Sequence, residues 1–369
     1  MKRSWIEISR SRIAANYAAV RDAVGPNVEI ACVVKADAYR HGAAEISRIL
    51  AAHGARWFAV SSAEEGIALR QAGIAARILV MADMLPSDPG ALHEFQLTPA
   101  IHSLDQLREL EELAQPIAYH LKLDTGMARL GTRASAEEIA AAVTSCQHAR
   151  LEGLMTHLAS AADYSRPQSQ EQIAAFDAVC DGLRRHGINP PFQHAAGTIA
   201  IAYGRREAWR NMVRPGHAIY GYISPARGNA PPSLLHVVPA LRWLASILAV
   251  KDLPAGAKIG YGAMFKAPAP MRIGILAAGY ADGIPHSLSA RGHVIAGGEF
   301  APILGAVSMD LTSIDLTAAP HLKPGDAVTL IGEEGDCRQD AQQMAREAGT
   351  ISYSLLCSIS ARVHRVYVE

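Results

Sequence analysis

A chain of 369 residues, 50% hydrophobic and 19% charged, can bury one large domain core and a smaller one, which excludes a disordered polypeptide. Its 35 basic and 35 acidic residues cancel with no long run of either sign, so the expected partner is a small molecule, with no nucleic acid and no membrane. Five scattered cysteines (Cys32, Cys146, Cys180, Cys337, Cys357) argue against a disulfide framework or paired metal ligands, and no secretory leader or apolar stretch of about 18 residues is visible, which predicts a cytoplasmic protein without a metal.

Apolar runs rich in β-branched residues recur at 28–36, 56–62, 77–83, 97–103, 116–124, 150–160, 192–198 and 212–222. Amphipathic, helix-like patterns separate most of them, over 43–52, 63–71, 103–113, 135–146 and 168–186, with a faint one over 199–209. This alternation predicts an α/β protein with an N-terminal eight-stranded parallel (β/α)8 barrel. An open doubly wound sheet is disfavoured because no glycine-rich dinucleotide turn follows the first run. The loop cluster Ser224-Pro225, Gly228-Asn229 and Pro231-Pro232 ends the alternation and sets a boundary near 235. Beyond it, 240–250, 271–279, 292–296, 301–307, 326–332 and 361–368 read as strands, with one helix at 340–347. Residues 1–235 are therefore expected to form the barrel and 236–369 a smaller, mostly β domain.

Lys35 ends the first apolar run, at the carboxyl end of a barrel strand where such folds keep reactive groups. A desolvated lysine there offers a neutral amine for Schiff-base chemistry; the bland alternative is a strand-end lysine snorkelling to solvent. The loops after strands seven and eight are the usual phosphate seat of a barrel, and they carry Gly197-Thr198 and Gly216. Taken alone, these residues equally read as turn glycines and a helix cap.

Seven motifs in order resemble the alanine racemase family: Val33-Val34-Lys35-Ala36-Asp37-Ala38-Tyr39, Leu121-Lys122-Leu123-Asp124-Thr125-Gly126-Met127-Ala128-Arg129-Leu130-Gly131, Val213-Arg214-Pro215-Gly216, Gly260-Tyr261-Gly262, Gly279-Tyr280-Ala281-Asp282-Gly283, Ser308-Met309-Asp310 and Gly349-Thr350-Ile351-Ser352-Tyr353. The resemblance spans essentially the whole chain. It implies a pyridoxal-phosphate-dependent isomerase of fold type III that interconverts L- and D-alanine by a two-base mechanism. Lys35 would hold the cofactor and serve as one base, and Tyr261 would be the other, on the opposite face of a planar centre. A phenol with an ordinary pKa near ~10 needs a nearby cation or a hydrogen-bond relay for that role.

The same resemblance implies that Arg214 pairs with the pyridine nitrogen, that Tyr39, Thr198, Gly216 and Tyr353 contact the phosphate, and that His157 stands beside the ring. Arg129 would bind the substrate carboxylate and Met309 would line the substrate pocket; Lys122 matches a position often carbamylated, and His194 would support the site from one layer back. It further implies a homodimer with active sites shared between subunits. The pathway stays open between D-alanine supply for peptidoglycan and alanine catabolism. Arg40, Gly197-Thr198, Ser308, His286 and Ser354 depart from the family's usual residues, which leaves the preference among small amino acids such as alanine and serine open. A barrel-type decarboxylase fits less well, because such enzymes lack this Gly-Tyr-Gly placement. A non-catalytic cofactor carrier would not need the second domain, and a metal-dependent hydrolase lacks His-x-His or His-Glu-x-x-His motifs.

Overall fold

The computed structural model describes residues 2–82 and 90–369. The chain divides into two units, a barrel unit of Arg12–Ala38 and Ala43–Val238, and a β unit of residues 2–11, Tyr39–Gly42 and Pro239–Glu369.

In the barrel unit eight parallel strands follow chain order: Glu29–Val33, Trp57–Val60, Arg77–Val80, Leu97–Ile101, Ile117–Lys122, Ala149–Met155, Phe192–His194 and Met212–Val213. The first pairs with both the second and the eighth, through Glu29–Met212 and Ile30–Val213. A bridge between Gly197 and Arg214, with Arg214 N–H donating to the Ala196 carbonyl at 2.9 Å, brings the seventh and eighth together and nearly closes the ring. Each expected run contains a strand, although residue 83 of the run 77–83 lies outside the described residues. The runs outlast the strands at their carboxyl ends. In 212–222 Pro215 supplies no N–H for a ladder and His217–Tyr220 tightens into a 3-10 turn, so two residues alone remain extended.

The helices Ala43–Ala52, Ala63–Gln71, Leu104–Glu112, Ala136–Ser145 and Gln168–Arg185 fill the expected intervals. Ser62, Ser103 and Ser135 cap three of them, each hydroxyl accepting a first-turn N–H. The faint 199–209 pattern resolves into a short helix, Thr198–Ala202, and a 3-10 turn, Arg206–Ala208. A helix the sequence reading did not mark, Arg10–Val24, buries Ile13, Asn16, Tyr17, Val20 and Val24 on one face.

Residues 2–11 group with the β unit. Strand Ser4–Ser9 pairs antiparallel with Leu241–Leu253 and parallel with His364–Val368, so its backbone donors and acceptors are satisfied inside the β unit. Around it, Leu241–Leu253, Met271–Leu276, Thr312–Asp315, Glu299–Leu304, His293–Ala296 and Ala327–Glu334 pair in an antiparallel cycle that returns to Leu241–Leu253. The expected helix appears as Ala341–Glu347, with Asp340 and Gln343 forming a capping box, and a second helix, Ser352–Ser358, follows it.

Candidate active site

Lys35 stands where the first barrel strand ends, and the chain after it does something unusual. Ala36, Asp37, Ala38, Tyr39 and Arg40 have φ of 53°, 55°, 54°, 53° and 66°, five consecutive side-chain-bearing residues in the left-handed region. Each costs ~1–2 kcal/mol against an ordinary backbone, so the surroundings must impose it. Glu65, on the helix Ala63–Gln71, accepts from Ala36 N–H through Oε1 and from Ser61 N–H through Oε2, both at 2.7 Å. One carboxylate thus ties the ends of the first and second strands together directly beside Lys35. Asp37 Oδ1 accepts from Ala43 N–H at 2.8 Å and fixes the exit into the next helix.

The fifth strand ends in Lys122, which is buried. Burial, followed by the charges of Arg129, Arg214 and Lys35, pulls its amine down to about 8. The loop beyond it is built on Asp124, whose Oδ1 accepts from the N–H groups of Gly126, Met127 and Ala128 at 3.1, 3.0 and 2.9 Å. Arg133 Nε donates to its Oδ2 at 2.7 Å, which helps hold the carboxyl down at about 2. Gly131 closes the loop at φ 124°, and a methyl group there would lie 2.6 Å from the Asp124 nitrogen. This loop carries Arg129, exposed, within electrostatic reach of Lys122 and His157.

Arg214 is buried behind the eighth strand, and its Nη1 contacts His194 Nδ1 and donates to the His194 carbonyl at 3.1 Å. Nη2 donates to the carbonyls of Thr156 at 2.6 Å and Ala195 at 3.4 Å, with His157 Nδ1 at 3.5 Å. Among the described residues nothing accepts from Nε, so one donor of a buried guanidinium is left for a ligand. Burial lowers Arg214 to about 10, which keeps it charged at neutral pH. Loss of hydration and the cations Arg214, Arg129, Lys122 and Lys35 hold the His157 imidazole far below its ordinary value, hence neutral.

Thr198 links the two expected phosphate loops: its oxygen accepts from Gly216 N–H at 3.0 Å and Ala218 N–H at 3.3 Å, which leaves the hydroxyl proton to donate. The Gly216 amide is therefore committed to Thr198. At Gly197 an added Cβ would meet nothing closer than 3.5 Å, so neither packing nor φ demands glycine there and the space stays open. A strand-end amine, a spare guanidinium donor and a spare hydroxyl proton are the donor set pyridoxal phosphate requires.

The remaining predicted residues lie in the β unit. Tyr39 and Tyr353 pack with ring centroids 6.1 Å apart, and burial pushes the Tyr39 phenol well above its ordinary range. Tyr261 sits between Gly260 at φ 72° and Gly262 at φ 66°, and is 76% exposed. Met309 is also exposed, on a loop whose Ser308 and Met309 carbonyls accept from Tyr280 and Ala281 N–H, each at 3.0 Å. Arg362 braces that corner, donating to buried Asp282 at 2.7 and 2.8 Å and to Asp310 at 2.7 Å. The sequence reading singled out neither Glu65, nor Arg362, nor the buried pair His120 and Glu152. For the last two a signal existed, since each is a polar residue inside an otherwise apolar strand run. Among the described residues no helix is long and apolar enough to cross a membrane, and no three His, Cys, Asp or Glu side chains group as metal ligands.

Comparison with known proteins bears directly on this arrangement. Residues 8–225 match the family described as alanine racemase, N-terminal domain, and residues 240–367 match alanine racemase, C-terminal domain. The alanine racemase of Halothermothrix orenii is 37% identical, over 99% of this chain and 96% of its own. The crystal structure of alanine racemase from E. faecalis superposes with a TM-score of 0.92 at 30% identity, covering 100% of this chain and 98% of that one. The alanine racemase structure from Bartonella henselae, which has covalently bound pyridoxal phosphate, gives 0.86 at 28% identity and covers 100% of both chains. With matches over both units and the whole length, this chain belongs to the pyridoxal-phosphate-dependent alanine racemase family of isomerases.

Proposed function

We propose that this chain interconverts L- and D-alanine, with Lys35 and Tyr261 moving the α-hydrogen on opposite faces of the substrate. The observation that carries the reading is the convergence of Lys35, Lys122, Arg129, His157 and Arg214 at one end of the barrel strands, with Arg214 Nε unengaged. Pyridoxal phosphate, when bound, supplies an electron sink that makes the α-hydrogen of an attached amino acid acidic. Lys35 Nζ would hold the cofactor and later accept or return the α-proton on its own face. Arg214 Nε, a donor that does not surrender its proton, would pair with the ring nitrogen and would leave that nitrogen unprotonated. The Thr198 hydroxyl, Tyr39, Tyr353 and the loop at Gly216 would seat the phosphate, and His157 would lie beside the ring. Arg129 suits the planar substrate carboxylate, and Met309 would line the small pocket.

Lys122 supplies a neutral amine near pH 8, the form that adds to carbon dioxide. The nitrogen bonds to the carbon, one proton leaves to solvent, and the resulting anion would orient Arg129. A carbamate resonance from protein equilibrated with 13C-bicarbonate, absent in Lys122→Ala, is the expected outcome.

Tyr261, exposed in the single chain, is the residue that calls for a second copy. In the homodimer proposed here it would act across the interface, where a neighbouring cation can support the phenolate. All five cysteines are free, which supports a reducing, cytoplasmic setting, and D-alanine for peptidoglycan would be the product's use. Mixing Lys35→Ala chains with Tyr261→Phe chains tests the arrangement: each alone is expected to be inactive and the mixture to regain activity. A mixture as dead as its parents would refute the shared site, and faster racemisation of serine than of alanine would reassign the substrate.

A further inference from the structure

The interior of a parallel barrel is ordinarily filled with branched aliphatic side chains. Here a polar line runs through it. Arg77, the first residue of the third strand, donates to Glu152 on the sixth at 2.9 and 2.5 Å, and Arg150 stands 3.5 Å from the same carboxylate. Glu152 Oε2 lies 3.9 Å from Nε2 of His120 on the fifth strand; His120 Nδ1 lies 2.8 Å from His194 Nε2 on the seventh; and His194 Nδ1 meets Arg214. His120, Glu152, His194 and Arg214 are all buried.

The hydrogen positions along this line follow from one end. A guanidinium donates and never accepts, so His194 Nδ1 must be an acceptor and its proton must sit on Nε2. That proton points at His120 Nδ1, which must accept in turn, so the His120 proton sits on Nε2, which makes no hydrogen bond and lies within charge contact of Glu152 at 3.9 Å. A carboxylate opposite an N–H is favourable, and the same carboxylate opposite a lone pair would be repelled. Both rings are neutral, because burial and the cations Arg77 and Arg214 hold His120 at about 3, and burial with Arg214 holds His194 lower than its ordinary value. Arg77 already neutralises Glu152, so the carboxylate orients the rings without protonating them.

Backbone geometry makes room for this line. Gly153 lies directly opposite His120 in the register, at the point where the pairing slips by one residue, and a methyl group at 153 would come within 2.6 Å of the imidazole. A strand glycine and a bulge side by side are the usual marks of a side chain being aimed.

We propose that Glu152 is a positioning residue for Arg214, acting through His120 and His194 by reinforcing, at the far end of the line, the Nε2–H forms that Arg214 selects at the near end. The two rings then present a single lone pair to Nη1, which holds the guanidinium so that Nε is the donor left over. The role rests on the assignment of Arg214 to the cofactor ring, but the protonation pattern itself does not.

The test reads the pattern in 15N-histidine-labelled protein, with and without pyridoxal phosphate, by long-range 1H–15N correlation. In the wild type, His120 and His194 are expected as Nε2–H tautomers in both samples. Glu152→Gln keeps the shape and removes the charge; it is expected to move the His120 Nε2–H resonance and admit some Nδ1–H form at that ring, shift the visible absorption of the loaded enzyme, and lower kcat about tenfold with KM little changed, as for residues that orient a liganding histidine. Gly153→Ala, which touches no charge, is expected to displace His120 and move the same resonances. Nδ1–H tautomers in the wild type, or an unchanged pattern and spectrum in both variants, would overturn the proposal. Because the tautomers are read without cofactor, a chain that failed to racemise alanine would refute the function and leave this result standing or falling by itself.

Discussion

Single residues in this barrel keep, at mildly acidic pH, protonation states that water would reverse. His120, fully buried among Arg77 and Arg214, has its pKa drawn from 6.5 to about 3, so between those values the unfolded chain binds a proton that the folded chain refuses. Stability must then fall as pH drops through that window, by about 2 kcal/mol between pH 7 and 5 for this ring alone, and His194 adds in the same direction. Urea midpoints measured at pH 7 and pH 5 check this, and equal midpoints would contradict it. Glu65 works at the same scale by a different means, since its two oxygens satisfy two backbone donors beside Lys35. Glu65→Ala leaves both N–H groups without a partner, a loss of ~1–3 kcal/mol for each that stays buried, visible as a lower melting temperature.

Among the elements, the segment Ala36 to Arg40 and the loop Leu123 to Thr132 are built against backbone preference or sterics. Ala36 is exposed, so Ala36→Gly loses little contact and relieves a left-handed alanine; a gain of ~1 kcal/mol is expected by thermal denaturation. Gly131→Ala runs the other way, driving a methyl group into the Asp124 turn that carries Arg129. Its expected signature is a KM for alanine raised about tenfold or more, the scale of one charge-assisted hydrogen bond, with a smaller change in kcat.

These two elements also show what a sequence can and cannot tell. The eight strands and five of the helices were legible because burial imposes periods of 2 and 3.6 on the residues themselves. Lys35 was legible because a lysine at the end of an apolar strand is conspicuous, and Lys122, Arg129 and Arg214 because their motifs resemble a family. The helix Arg10–Val24 carries the same kind of stripe, Ile13, Tyr17, Val20 and Val24, diluted by the alanines that surround it. Glu65 was not legible at all. A glutamate in the first turn of a helix reads as a solvated charge, and only folding brings it to Ala36, 29 residues away. The left-handed run was equally silent, because in Ala-Asp-Ala-Tyr-Arg only the aspartate tolerates positive φ.

On the scale of the whole molecule, the two units are interleaved along the chain, and the β unit draws on three separate stretches. Removing residues 1–11 deletes a strand that is paired on both sides, by Leu241–Leu253 and by His364–Val368. Circular dichroism and size-exclusion chromatography of the deleted chain are expected to show lost β content and aggregation through the bared edges. A deletion that kept its spectrum and melting temperature would show that Ser4–Ser9 is dispensable.

The parallel contact between Ser4–Ser9 and His364–Val368 carries a consequence for biosynthesis. Strand Ser4–Ser9 cannot complete its sheet until His364–Val368 has been translated, while each barrel strand finds a first neighbour within a few dozen residues. Nascent chains stalled before Leu241 should therefore present a bare, half-apolar ribbon to chaperones, and joining this ribbon to its distant neighbours should be the slow phase of refolding.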